Sequence, residues 1–237
     1  MSRTPVVSIV IPALNEGKNI RSCLRSIKAQ DYDGKFEIIV CDGFSKDNTA
    51  ALARKEGARV VFERKHTIAA GRQTGAKSAK GGILVFFDAD GIAEKNWLAE
   101  LLKPFQDGRV VSTHGTLFMS DANAFDELFC KSVFPFYLWL LNALGTPSGT
   151  GSNLAVRAGA FRKAGGFDTS LVTGEDLVLQ KKLRAYGKTV FVPSAVVRVS
   201  KRRVLKWGYF GYAVFHIANW LQVALGGKPK EHYEQVR

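Results

Sequence analysis

Short apolar runs separated by helix-compatible segments dominate the N-terminal half of the chain. The runs are continuous and rich in β-branched and aromatic residues, which is typical of strands buried on both faces: residues 6–11, 36–41, 59–62 and 83–87. Segments with helical spacing fill the intervals: residues 15–30, 48–57 and 69–80. Strands that alternate with helices predict an α/β fold with a mostly parallel central sheet flanked by helices.

The loops that follow three of these strands carry carboxylates. They comprise residues 12–16, 42–47 and 88–90. In open parallel sheets, ligands bind beyond the carboxyl ends of the strands. We therefore expect the three loops to converge on one crevice.

The pattern after residue 90 is less regular. It predicts a helix at residues 97–105 and strands at residues 109–119 and 153–156. Residues 123–144 are largely apolar, but their uninterrupted apolar run is too short to cross a bilayer as a helix, so we expect a core or interfacial segment. Residues 174–187 predict a helix that opens with two acids, Glu175 and Asp176, which the helix dipole favours.

The C-terminal tail differs in composition from the rest of the chain. A basic segment around residues 198–206 precedes residues 207–227, which contain no charged residue and are rich in aromatic side chains. On a helix, small and polar residues of this stretch share one narrow face and apolar residues cover most of the rest. The pattern fits an interfacial helix with a basic entry, and also a membrane span. We predict a main α/β domain over residues 1–200 and a membrane-associating segment over residues 201–237.

Composition and charge narrow the classes of partner. The chain has 237 residues, of which 46% are hydrophobic, enough for one sizeable domain with a core. A formal charge of +13 favours anionic partners such as nucleotides, nucleic acid or acidic lipid headgroups. The cysteines, Cys23, Cys41 and Cys130, are predicted to be reduced. A strand-like run starts so near Met1 that we expect no signal peptide.

Two pairs of acids are the main candidates for chemistry. Asp88 and Asp90 end an apolar strand, and two carboxylates one residue apart can hold Mg²⁺ or Mn²⁺ while the ion bridges phosphate oxygens. Such a pair also occurs as a solvated turn, but its position after a buried strand favours the metal site. Glu175 and Asp176 are either a helix-capping pair or the source of a general base.

Several segments in a fixed order resemble the family 2 glycosyltransferases with the GT-A fold. They are VSIVIPALNEGKNI, EIIVCDGFSKDNT, FFDADG, GTGSNLAVRAGAFRKAGGFD and TGEDLVLQKKLRAYGK, and they span about residues 6–192. The resemblance implies an inverting, metal-dependent transfer of a sugar from a nucleoside diphosphate. It further implies that Asp88 and Asp90 hold Mn²⁺ or Mg²⁺ and that Asp176, beside Glu175, is the catalytic base.

The same resemblance assigns the remaining donor-binding residues. It implies that the nucleotide sugar contacts a set of residues from the first two loops and the metal motif: Pro12, Ala13, Asn15, Glu16, Asp42, Asp88, Ala89 and Asp90. Arg72 or Lys77 would lie near the diphosphate, although a plain solvated helix face remains open for each. Arg202 and Arg203 could close over the diphosphate or contact lipid headgroups, and the sequence leaves both open.

Two departures from the family pattern matter for function. Gly43 stands where many members have a second aspartate. The Q-x-x-R-W signature of processive polysaccharide synthases is missing after Gly187, which favours transfer of a single hexose. The tail resembles membrane-associated members related to dolichol-phosphate mannose synthases and to a minimal cellulose-synthase-like arrangement. We therefore expect GDP-mannose, otherwise a UDP-hexose, as donor, a polyprenyl- or dolichol-linked lipid or a glycan as acceptor, and a location at the cytoplasmic face of a membrane.

Other classes of protein fit the sequence less well. A Rossmann dehydrogenase needs a glycine-rich turn directly after the first strand, where this chain has Pro12 to Gly17. Residues 71–78 only approach a P-loop, because Ala76 takes the place of the required second glycine. The charge of +13 leaves a basic nucleic-acid-binding or other non-enzymatic module as the alternative. No RNP, zinc or helix-turn-helix pattern accompanies that charge, so we expect no nucleic acid partner.

Overall fold

The computed structural model describes residues 7–120, 122–146, 149–227 and 229. Its strands form one eight-stranded sheet in the order β3-β2-β1-β4-β7-β6-β8-β5. The strands are β1 (Val7–Ala13), β2 (Phe36–Asp42), β3 (Arg59–Phe62), β4 (Ile83–Phe87), β5 (Ile92–Ala93), β6 (Val110–Met119), β7 (Asn153–Arg157) and β8 (Lys188–Val199). The first four coincide closely with the predicted strands.

Helices cover both faces of this sheet. They are α1 (Ile20–Lys28), α2 (Thr49–Lys55), α3 (Ile68–Ser78), α4 (Trp97–Leu102), α5 (Ala124–Leu128), α6 (Phe134–Ala143), α7 (Ala158–Lys163), α8 (Glu175–Leu183) and α9 (Arg202–Ala224). A 3-10 helix, Lys103–Gln106, continues α4, and a π-helical turn, Phe129–Val133, joins α5 to α6. The predicted α/β fold is confirmed.

The sheet is mixed but mostly parallel, as predicted: six of its eight strands run in one direction, and β5 and β7 run in the other. The β1–β2, β2–β3, β1–β4 and β6–β8 pairs are parallel, whereas β7 runs antiparallel to both β4 and β6, and β5 runs antiparallel to β8. A strand buried on both faces has the same continuous apolar pattern whichever way its neighbours run. The direction of β7 therefore left no local signal in the sequence.

Two layers of apolar side chains enclose the sheet. One contains residues of α1, α2 and α4, including Trp97, whose ring meets Phe87 edge-on at 4.8 Å between centroids. Trp97 is held in place because its Nε1 donates to Oδ1 of Asn153 at 2.8 Å. The other layer contains residues of α3, α7 and α8. The three cysteines are buried and free, in agreement with the reduced state predicted for them.

The C-terminal helix α9 packs its inner face against the body of the protein. Val204, Asn219 and Val223 are buried there, and Asn219 Nδ2 donates to Thr173 Oγ1 at 3.2 Å. Gly208, with φ of 70°, kinks the helix near its start. Large apolar side chains, among them Phe210, remain exposed on the outside. Within the described part of the chain, no helix has the length and apolar character needed to span a membrane.

The packing of α3 on β1 yields a stability prediction. A Cβ atom at Gly75 would lie 2.3 Å from Cγ1 of the buried Val10. We expect Gly75→Ala to lower the free energy of unfolding by about 1–3 kcal/mol, because the crowded strand must shift, and to lower Tm by about 2–4 °C for each kcal/mol. Thermal unfolding followed by circular dichroism measures the change.

Gly159 provides the matched control. It also lies in a helix, α7, but no heavy atom comes within 4 Å of an added Cβ. Gly159→Ala should leave Tm unchanged or raise it slightly, because alanine has the higher helix propensity. Equal Tm values for the two variants would contradict the close packing of α3 on β1.

Candidate active site

Two cavities meet at the carboxyl end of β4. The smaller, about 220 Å³, is bordered by the ends of β1, β2 and β3. The larger, about 280 Å³, lies between the start of α8 and helices α6 and α9. Both are lined by a shared set of residues: Ile68, Asp88, Asp90, Val172 and Arg203. The two spaces therefore adjoin at the pair of aspartates.

The aspartate pair is fixed by the turn after β4. Gly91 N donates to the Asp88 carbonyl at 3.0 Å, which closes the turn, and Ala89 between the two acids is buried. Burial and the neighbouring Asp88 charge raise the pKa of Asp90 to about 6. Arg202 Nη2 lies 3.1 Å from Asp90 Oδ2 and 2.9 Å from Glu16 Oε1. A cationic group thus already sits against the Asp90 carboxylate.

Arg72 joins the two acidic motifs. It comes from α3, is 2% exposed, and donates from Nη2 to Asp88 Oδ1 at 2.8 Å and from Nη1 to Glu175 Oε1. Its guanidinium carbon lies 5.9 Å from the centre of the Phe167 ring. Gly151 leaves the space for it, because a Cβ there would come within 2.2 Å of Arg72 Nη1. Arg72 therefore holds acids from two distant parts of the chain at one place.

Glu175 and Asp176 open α8 from a turn at Gly174, whose φ of 67° is readily adopted by glycine. Burial raises the pKa of both carboxyls, while Arg72 opposes the increase. Asp176 Oδ2 accepts from Gly151 N at 2.7 Å, and Oδ1 accepts from Leu177 N at 2.8 Å. Both acids border the larger cavity; Glu175 is held in an ion pair with Arg72, and among the residues that the structure describes no cation lies within ion-pair distance of Asp176. Asp176 is therefore the better candidate for a base.

Most of the donor-binding residues expected from the sequence line the smaller cavity or hold the loops beside it. Those that line the smaller cavity are Pro12, Ala13, Glu16, Asp88, Ala89, Asp90, Arg202 and Arg203. Asn15 and Asp42 instead hold the adjoining loops: Asn15 Oδ1 accepts from Lys46 N and Asp42 Oδ1 accepts from Ser45 N, each at 2.7 Å. Lys77 is exposed on α3 and is not among the residues that line either cavity.

Among the residues of the smaller cavity that sequence reasoning missed are an acid and an imidazole, Glu63 and His66. Both follow β3, which is parallel to β2, so their position beyond a strand end was the signal that could have identified them. It also missed the apolar wall of the larger cavity, to which α6 contributes Phe134, Leu138 and Leu141. That wall depends on tertiary packing between segments far apart in the sequence.

Asp88 and Asp90 are the residues that could hold a divalent metal. Among the described residues, no group of three or more His, Cys, Asp and Glu side chains is arranged to bind a metal. Mg²⁺, however, is usually held by one or two carboxylates together with water and substrate phosphates. The aspartate pair supplies such a set, and the contact of Arg202 with Asp90 indicates that a cation is accommodated there. The residues present therefore fit the metal.

This combination of a strand-terminal aspartate pair with a buried acid pair agrees with the results of sequence comparison. The model of the family "Glycosyl transferase family 2" matches residues 8–165. The chain belongs to this family. Its membership confirms the predicted glycosyltransferase activity and GT-A fold.

Relatives and solved structures support the same assignment. The chain is 25% identical over 266 residues to the glycosyltransferase AglE of Haloferax volcanii, an alignment that covers 99% of this chain and 86% of that protein. A glycosyltransferase of Methanococcus voltae, named for a dolichyl N-acetyl-α-D-glucosaminyl phosphate acceptor, is 29% identical over 108 residues, which is 42% of this chain and 34% of that one.

Among solved structures, the fold resembles the mannosyltransferase PcManGT of Pyrobaculum calidifontis, a complex with GDP-Man and Mn²⁺. The TM-score is 0.75 at 23% identity, and the match covers 97% of this chain and 67% of that chain. At this identity the likeness establishes the fold alone.

The buried position of Arg72 yields a prediction. Arg72→Met would leave Asp88 and Glu175 without their cation, and we expect it to lower the free energy of unfolding by about 3–5 kcal/mol at pH 8. The loss should shrink toward pH 5. Removing the cation raises the folded-state pKa of Glu175 further above its unfolded value, so ionisation of Glu175 destabilises the variant as the pH rises. Urea unfolding at several pH values measures both effects.

Arg109→Met is the matched control for Arg72→Met. Arg109 also forms an ion pair, with Asp107, but its side chain is 73% exposed and that of Asp107 is 35% exposed, so its loss should change stability by less than about 1 kcal/mol at any pH. The double variant Arg72→Met/Glu175→Gln should recover part of the lost stability. Equal stabilities for Arg72→Met and wild type at pH 8 would contradict the role assigned to Arg72.

Proposed function

We propose that this protein transfers a single hexose, with inversion, from a nucleoside-diphosphate sugar to a lipid-linked acceptor at the cytoplasmic face of a membrane. GDP-mannose is the first candidate for the donor and a UDP-hexose the second, and a glycan is the second candidate for the acceptor. The proposal rests chiefly on one observation: the aspartate pair, Asp88 and Asp90, lines both cavities, and the acid pair, Glu175 and Asp176, borders the larger one. Donor phosphates and acceptor hydroxyl can thus meet at the boundary.

The acid pair provides the proton acceptor for this reaction. The acceptor hydroxyl in the larger cavity attacks the anomeric carbon of the sugar, and its proton passes to a carboxylate oxygen of Asp176 as the new C–O bond forms. The bond from the anomeric carbon to the diphosphate oxygen breaks, and the nucleoside diphosphate leaves. A buried carboxylate with a raised pKa suits this role, because a base is most effective when its pKa approaches the working pH.

The aspartate pair and two arginines receive the charge of the leaving group. Asp88 and Asp90 would hold Mn²⁺ or Mg²⁺, which supplies charge neutralisation to the diphosphate when bound. PcManGT, the solved structure of similar fold, contains GDP-Man and Mn²⁺, which supports this choice of donor and metal. Arg202, which contacts Asp90, and Arg203, which borders both cavities, would face the phosphates, whereas Arg72 is engaged by Asp88 and Glu175.

The larger cavity supports a lipid-linked acceptor. Apolar and aromatic side chains form much of its wall: Leu117, Met119, Phe134, Leu138, Leu141, Val204 and Trp220. A polyprenyl chain can bury its methylene and methyl groups against such a wall, with a gain of about 25 cal/mol for each Å² of apolar surface removed from water. The relative from Methanococcus voltae is named for a dolichyl phosphate-linked acceptor, which supports the same class.

The helices that border the larger cavity support contact with a membrane. α6 exposes Phe136, Trp139 and Leu140, and α9 exposes a longer series: Leu205, Tyr209, Phe210, Val214, Ile217 and Leu221. The start of α9 is basic, and the chain carries a net charge of +13, which favours anionic headgroups. Helices with one apolar face and a basic entry bind in the interfacial plane of a bilayer. The mouth of the larger cavity would then open at the lipid surface.

Substitutions in the two acidic motifs should have different effects on nucleotide binding and turnover. We expect Asp176→Asn to bind nucleoside diphosphate and Mn²⁺ nearly as wild type does, but to lose about 10²–10⁴-fold in kcat, because the proton acceptor is gone. Asp90→Asn should weaken Mn²⁺-dependent nucleotide binding itself. Calorimetric titration and a turnover assay with radiolabelled GDP-mannose and a polyprenyl-phosphate-linked sugar, which carries the acceptor hydroxyl, separate binding from chemistry. Glu127→Gln, an exposed acid of α5, is the control with normal values.

Normal turnover in Asp176→Asn would refute the assignment of the base. Normal Mn²⁺-dependent binding in Asp90→Asn would refute the metal site. The two results are independent, so each motif is tested separately.

Membrane contact is tested on the outer faces of α6 and α9. The double variant Trp139→Glu/Phe210→Glu should lose most of its co-sedimentation with vesicles that contain anionic phosphatidylglycerol, because two exposed apolar contacts become charged. Phe62→Glu, at the β3 edge of the sheet, changes an aromatic residue that is also exposed, though less so than Phe210, and should sediment as wild type does. Equal sedimentation of the double variant and wild type would contradict the proposed membrane face.

A further inference from the structure

The smaller cavity has a polar end beyond β2 and β3, formed by Gly43, Glu63 and His66. The strand order is β3-β2-β1-β4, so the end of β3 lies about three strand spacings, roughly 14 Å, from the end of β4 that bears the aspartate pair. If the diphosphate of a donor binds at the aspartates, the nucleobase lies toward this polar end. Its side chains are therefore placed to contact the base.

Glu63 presents a carboxylate oxygen to this space. The residue is 7% exposed, and its Oε2 accepts from Lys65 N at 2.8 Å. Its Oε1 has no hydrogen-bond partner among the residues that the structure describes. The neighbouring Asp42 is fully buried, and its Oδ2 also lacks a partner. Asp42 Oδ2 is a fully buried acceptor of the kind that a donor normally satisfies, whereas Glu63 Oε1 is not fully buried and remains accessible to a ligand in the cavity.

Gly43 makes the room that Glu63 occupies. A Cβ atom at this position would lie 3.3 Å from Glu63 Oε1, so a larger side chain would displace the carboxylate. The acidic group at this place comes from Glu63, which directly follows β3. Gly43 and Glu63 are thus two parts of one arrangement.

His66 adds a second acceptor. Its Nδ1 lies 2.7 Å from the Gly43 carbonyl, and because a carbonyl oxygen only accepts, Nδ1 carries the hydrogen. In the neutral ring, Nε2 is then an acceptor. His66 lines the cavity with a left-handed backbone, at φ of 54°. Glu63 and His66 together therefore offer acceptors to a ligand at this end of the cavity.

We propose that Glu63, in the space left by Gly43 and beside His66, binds the nucleobase of the donor and selects guanine over uracil. Guanine offers adjacent N–H donors at N1 and N2 on one edge, which suit a carboxylate and a second acceptor. Uracil offers a single N–H donor between two carbonyl oxygens. These oxygens are acceptors, so the carboxylate would repel them. The inference rests on the proposed function, since it assumes a nucleoside-diphosphate donor with its phosphates at the aspartate pair.

The test is calorimetric titration of the full chain with GDP, inosine diphosphate and UDP in the presence of Mn²⁺. Wild type should bind GDP at least tenfold more tightly than UDP, and inosine diphosphate, which lacks the N2 amino group, with intermediate affinity. Glu63→Gln should lose roughly ten- to a hundredfold in GDP affinity, because a hydrogen bond to a charged group is lost. Its UDP affinity should be kept or increased, since the amide can donate to a uracil carbonyl. General structural damage would lower both affinities.

Two further variants support the interpretation. Gly43→Ala should weaken GDP binding slightly more than UDP binding, because the added methyl group lies 3.3 Å from Glu63 Oε1 and moves the carboxylate by a few tenths of an ångström. Glu37→Gln removes another partly buried carboxylate, at the opposite end of β2, and should leave the preference unchanged. Unchanged GDP affinity in Glu63→Gln, or a wild-type preference for UDP, would overturn the inference and leave the proposed function intact. If wild type bound none of the three nucleotides, the proposed function itself would fail.

Discussion

The arrangement of the site depends on one buried cation, the guanidinium of Arg72. Asp88 ends β4 and Glu175 begins α8, and both carboxylates contact the same side chain. A buried positive group between them stabilises the ionised forms of both acids, because uncompensated buried charge costs several kcal/mol. Arg72 is 2% exposed, and Gly151 is the residue that leaves room for it. Gly151 also donates its N–H to Asp176, so one loop contacts both the buried cation and the proposed base.

The two halves of the mixed sheet support different cavities. Its parallel half, β1 to β4, brings successive loops to one edge, where the smaller cavity forms. Its other half begins with the antiparallel strand β7 and supports α8, whose first residues border the larger cavity. The boundary between the halves lies beside β4, and the aspartate pair follows that strand. A donor on one side and an acceptor on the other would thus meet where the sheet changes direction.

Local sequence was sufficient for the parallel half of the fold and for the acidic motifs. The strands β1 to β4 are short apolar runs, and Asp88, Asp90, Glu175 and Asp176 stand at element ends, where chemistry is expected. β8 was missed because much of it is exposed or half-buried and Pro193 interrupts its pattern. Arg72 was expected near the diphosphate, yet its two carboxylate partners lie 16 and 103 residues away in sequence. Glu63 and His66 line the smaller cavity because the end of β3 lies beside the end of β2 in the sheet. No short sequence motif encodes that arrangement.

The central claim is that the donor diphosphate binds where the two cavities adjoin. A crystal structure of the protein with GDP and Mn²⁺ tests it most directly. We expect the metal on Asp88 and Asp90, the diphosphate beside it with Arg202 or Arg203, and the base toward β3. Nucleotide bound at another surface, or a metal that contacts neither aspartate, would contradict the account.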